Sequence, residues 1–145
     1  MTHEYEGHYG AKHAPDTPLD PTLAKRVREK TTVGHLACAS AFAIVEEAGA
    51  SPIEIGRAAD LLEIKISKCQ LGLFGHVKEK RSIVEPAGKV SGELEQALRE
   101  GVVKGRLSCR KAWDIAERFG ISKMEVTSAC ESLNIRLGLC QLGTF

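Results

Sequence analysis

No apolar run in this chain approaches the roughly 18 residues that a membrane-spanning helix needs. The first residues carry no apolar stretch of signal-peptide type, so the expectation is a cytoplasmic protein. An excess of one charge is also lacking. Twenty Lys and Arg against 19 Asp and Glu leave a net charge of +1, so any attraction to an anionic partner must come from a local stripe. Cysteines number five, an odd count. No two of them are separated by only two residues, which excludes zinc-knuckle spacing. They read as small core residues, and neither a metal nor a cofactor is expected. Cys69 and Cys140 alone are placed to meet, if the strands that carry them pair. No phosphate loop of the form Gly-x-x-x-x-Gly-Lys-Ser/Thr is present. Neither is any Ser/His/Asp, Cys/His or paired-carboxylate arrangement, with His35 and His76 isolated in sequence. The expectation is that the protein is not an enzyme.

What the chain does have is the stretch Ala112–Leu133. Ala112, Ile115, Ala116 and Phe119 fall at i, i+3, i+4 and i+7, one face of a helix. Gly120 supplies the left-handed residue that commonly ends a helix. Ser122 and Glu125 then form the signature of a capping box. Val126, Ala129, Cys130 and Leu133 repeat the apolar stripe. Two amphipathic helices are thus joined by too few residues for anything but a sharp corner. Small Ala116 lies at the crossing, and Ile121 and Val126 plug the angle.

The same unit occurs earlier. Laid without a gap over Gly105–Phe145, the segment Gly34–Phe74 is identical at 17 of 41 positions. Gly49, Ser51 and Glu54 stand where Gly120, Ser122 and Glu125 stand. Both copies end on Cys-Gln-Leu-Gly-x-Phe, at Cys69–Phe74 and Cys140–Phe145. Such a match indicates a duplicated building block. A leading helix is expected before each corner, over Pro21–Lys30 and Gly92–Val102, with Ser91 as an N-cap. A β-prone run follows each corner, at Ile64–Leu71 and Ile135–Leu142. A lone strand leaves backbone groups unpaired. The expectation is therefore that these two terminal strands pair antiparallel across a pseudo-twofold axis, with Val33–Leu36 and Val102–Leu107 adding edges. Ser82–Val84 reads as one further short strand.

The residues Ala116, Gly120 and Val126 match the small residue, turn glycine and branched residue of the helix-turn-helix of transcription regulators, which this stretch resembles. With a leading helix and a strand added, the order is similar to a winged-helix domain, such as the DNA-binding domain of molybdate-responsive repressors. The resemblance implies a mainly α fold with a small β component. It implies two winged-helix-like helix-turn-helix units, at 21–74 and 92–145, related by a pseudo-twofold. Residues 1–20 read as an extended arm, with four acids, one lysine and the histidines His3, His8 and His13. Residues 75–91 read as a basic linker.

Two functional classes follow. One is a DNA-binding regulator. Lys123, Thr127, Ser128 and Asn134 on the second recognition helix would read base edges, and Lys104, Arg106, Arg110 and Lys111 would contact phosphates. The other is an accessory module that keeps the fold but docks on a protein partner or a second copy of itself. The recognition helices carry Glu125 and Glu131 in one copy, and Glu54, Asp60 and Glu63 in the other. An acidic helix meets repulsion in a major groove.

Overall fold

Capping side chains set where most of the helices start. The Asp20 carboxylate accepts from the amides of Thr22 and Leu23, and Pro21 occupies the first turn, where a missing amide hydrogen does no harm. From there α1 runs over Pro21–Lys30 and buries Ala24 and Val27. The computed structural model describes residues 8–76 and 82–144. Among these the fold is mainly helical with two small sheets. No helix is long and apolar enough to cross a membrane among the described residues.

The chain forms two compact units, the first of residues 8–69 with 141–144, the second of the described residues from 70 to 140. In the first, α1 is followed by a two-residue turn. Thr32 and His35 exchange both backbone hydrogen bonds, at 2.8 and 3.0 Å, across Val33 and Gly34, which both have positive φ. That is the type I′ geometry whose twist suits a hairpin. Strand β1 (His35–Ala37) leads into α2 (Cys38–Ala48), α3 (Pro52–Leu61) and strand β2 (Lys65–Ser67). Gly49 ends α2 at φ 66°, a left-handed position that costs glycine little. Ser51 and Glu54 close a full capping box on α3. Val27, Leu36, Ala41, Ile44, Ile55 and Ala59 have no exposed surface and form the core between the three helices and β1.

The second unit runs through α4 (Gly92–Gly101), β3 (Arg106–Ser108), α5 (Cys109–Phe119), α6 (Lys123–Leu133) and β4 (Arg136–Gly138). Ser91 caps α4, Ser108 caps α5, and Ser122 with Glu125 caps α6. Gly120 turns the corner at φ 64°. Leu98, Leu107, Ala112 and Val126 are wholly buried, and Cys130 is nearly so.

The sheets differ from expectation. The strands are three residues long, and each pairs inside its own unit, β1 with β2 and β3 with β4, in parallel. The expected antiparallel pairing of the two terminal strands is absent. A parallel pair needs a crossover of a dozen or more residues, and the two-helix corner is that crossover. The short connectors before each corner supply the missing edges. Ser82–Val84 forms no strand; the Ile83 amide donates to the carbonyl of Gly72 at 3.0 Å.

Each unit is closed by the segment that follows the other unit's last strand. In the second, Gly72 sits against Val84, Ile83 and Met124 of α6. In the first, Leu142 is buried and its carbonyl lies directly over Gly56 of α3, where even a Cβ would not fit. Cys69 belongs to the first unit and Cys140 to the second, and none of the five cysteines is in a disulfide.

Candidate nucleic-acid interface

The face of α6 expected to read DNA is largely occupied, and so is the acidic face of α3. On α6, Thr127 is fully buried, and its hydroxyl donates back to the carbonyl of Lys123 at 3.4 Å. Thr127 therefore leaves the set of base readers; it sits on the inner face of α6 beside Val126. Lys123 holds its ammonium 4.5 Å from the centroid of the Trp113 ring, a cation–π contact that ties it to α5. Ser128 is half-buried, and its carbonyl accepts from the amide of Ala87 at 2.9 Å. Asn134 is exposed but serves as the left-handed C-cap of α6 at φ 58°. The outward surface of α6 that remains carries Glu125, Glu131 and Ser132.

On α3 the covering is denser. The amides of Tyr9 and Gly10 donate to the Glu63 carboxylate at 2.6 and 2.8 Å. Lys12 and His13 both reach Oδ2 of Asp60, at 3.0 and 2.8 Å, and the Lys12 ammonium also donates to the carbonyl of Gly143. Asp60, read from sequence as an outward acid, is buried under this arm. His8 is exposed; His3 and Tyr5 of the arm lie outside the described residues.

The four cations expected on phosphates are placed differently. Lys104, Arg106, Arg110 and Lys111 are all exposed. Val103 and Arg106 exchange backbone hydrogen bonds at 2.8 and 3.1 Å, and Lys104 sits at the tip of the resulting type I′ hairpin, with φ 51°. Arg106 opens β3. Arg110 and Lys111 lie in the first turn of α5, where no acid is present. Cations there oppose the helix dipole by roughly 0.3–1 kcal/mol each, a penalty that a bound anion would remove. The Lys111 stem packs against Gly101 at the end of α4.

A fifth cation completes the group. In the parallel register Arg136 stands opposite Arg106, and both are exposed. No acid pairs with any of these five among the described residues. The first unit is different. Several of its cations have acid partners: Arg26 and Lys30 pair with Glu47, Lys25 with Glu29 and Lys12 with Asp60, while Arg28 and Arg57 have none among the described residues. Counting back 71 residues from the five cations reaches Val33, His35, Ala39, Ser40 and Lys65. The basic corner is thus specific to the second unit. Arg136 escaped the sequence reading because its nearness to Arg106 depends on a register set by the 29 residues between them. Its only signal was the exchange with Lys65.

Among the described residues, no group of three or more His, Cys, Asp or Glu side chains is placed to hold a metal ion. No family model matches the chain, and neither a curated protein nor a solved structure was found to match it.

Proposed function

We propose that the protein is a non-catalytic DNA-binding protein built from two copies of a winged-helix-like unit, in which the second copy grips the backbone of duplex DNA. The carrying observation is the set Lys104, Arg106, Arg110, Lys111 and Arg136, exposed and without acid partners among the described residues. In this reading α6 does not enter a groove with its Thr127 face. The hairpin tip, the β3–β4 pair and the start of α5 meet phosphates, and Asn134 is the one expected base reader left outward. Backbone contacts position a protein on DNA without reading sequence, so recognition is mainly of duplex shape and charge. The 17 identities in 41 positions and the repeated order of helix, strand, helix, helix, strand support the duplication.

The test is anisotropy of a labelled mixed-sequence duplex across a salt series. Four or five phosphate contacts give a slope of log affinity against log salt of about −3.6 to −4.5, at roughly −0.9 per contact. No binding at low salt would overturn the reading.

A second reading is supported by a separate observation. Glu125 and Glu131 line the outward side of α6, which favours an accessory module docking on a basic protein partner. That reading expects no binding to duplex and retention of a partner that is lost on Glu131→Lys.

A further inference from the structure

Arg106 and Arg136 are opposite one another in the β3–β4 register, so their side chains leave the same face of a two-stranded sheet about 4.8 Å apart at the backbone. Like charges facing across strands destabilise a sheet unless something neutralises them. No described carboxylate does so. The next residue of β4 on that face is Gly138, and Arg106 lies across it. A Cβ built on Gly138 would stand 2.7 Å from Cδ of Arg106 and 3.5 Å from Nη1. The missing side chain thus lets the Arg106 guanidinium fold down over β4 at Gly138, on the face from which Arg136 also leaves. The matching positions in the first unit hold His35, Lys65 and the buried Ser67, so the arrangement is not inherited from the repeat.

We propose that Arg106, Arg136 and Gly138 form a seat for a single phosphodiester, in which both guanidiniums donate to one phosphate of the duplex backbone. Planar, forked donors suit bidentate phosphate binding, and a phosphate here removes the repulsion between the two arginines. This rests on the DNA-binding reading above and adds to it one fixed contact point, where the other cations are long side chains on an open surface. Gly138 is then a positioning residue: it touches no phosphate but holds Arg106 where it can.

The experiment uses the full chain and a labelled mixed-sequence duplex at low salt and across a salt series. Arg106→Ala and Arg136→Ala are each expected to weaken binding roughly 10-fold, with the salt slope flattened by about 0.9 in the double variant, which frees the one shared phosphate. Because both donors share one phosphate, the double variant loses less than the product of the two. Arg106→Lys keeps the charge but loses the fork, and Gly138→Ala keeps every charge but displaces Arg106. Both are expected to approach the loss seen in Arg106→Ala, with urea midpoints checked to show that they fold. Arg118→Ala removes an equal charge from the far end of α5, where Arg118 lies over the Phe119 ring, and is expected to change affinity less than 2-fold. If Arg118→Ala costs as much as Arg106→Ala, or if Arg106→Lys binds like wild type, there is no seat and only diffuse charge. If wild type itself fails to bind, the DNA reading falls and the seat falls with it.

Discussion

Replacing Gly56 by alanine is the sharpest structural test of how the first unit is closed. A Cβ on Gly56 would stand 1.7 Å from the carbonyl oxygen of Leu142, 2.7 Å from its carbonyl carbon and 3.1 Å from its Cα. All three atoms are backbone, so no rotamer change relieves the contact. The tail must lift by more than 1 Å, which is enough to forfeit most of its packing. Leu142, only 2% exposed, then returns to water. Full burial of a leucine is worth about 1.5–3 kcal/mol. Against this, alanine in a helix interior is better than glycine by about 1 kcal/mol. The net expectation is destabilisation of about 0.5–2 kcal/mol, read as a lower urea midpoint at unchanged slope. Amides of residues 141–144 should lose hydrogen-exchange protection in the same variant. Gly88→Ala, with open space around the added carbon, is the control and should be near neutral. A Gly56→Ala protein as stable as wild type, with the tail still protected, would show that the tail does not press on α3.

Other perturbations report on separate contacts. Ser122→Ala removes one half of the capping box of α6 and should cost about 1 kcal/mol in urea unfolding. Asp60→Ala removes the shared acceptor of Lys12 and His13, so trypsin should cut after Lys12 faster than in wild type, with the core unchanged. Burial, with Glu131 beside it, pushes the Cys130 thiol from 9.0 up to about 12. The unfolded chain then releases this proton before the folded one does. Stability from this group is therefore intact below about pH 9 and falls as pH rises toward 12. Cys130→Ala should flatten that part of the pH–stability curve, and iodoacetamide at neutral pH should leave Cys130 unmodified in the folded protein.

The helices were legible because their signals are local. Asp20, Ser51, Ser91 and Ser122 each lie beside the helix they start, and Gly49 and Gly120 each end one. The apolar stripes found Ala112, Ile115, Val126 and Cys130 as core. The strands were not legible in the same way. Ile64–Leu71 and Ile135–Leu142 have β-prone composition throughout, but positive φ at Lys68 and Leu139 turns the chain after three paired residues. Their partners were misjudged because a parallel register is set by the geometry of the intervening corner and leaves no trace in side-chain pattern. The candidate site divided along the same line. Lys104, Arg106, Arg110 and Lys111 stand within eight residues of chain and were found. Thr127 was misplaced because the stripe alone does not reveal how wide the buried face of α6 is.

The interleaving of the two units reverses the usual order of events at the ribosome. Domains ordinarily fold from the N-terminus as they emerge. Here residues 70–140 form one continuous stretch, whereas the earlier unit still lacks Leu142 and Gly143 when that stretch is complete. The half made first is thus the half finished last, since Gly56 of α3 has no cover until Leu142 has been made.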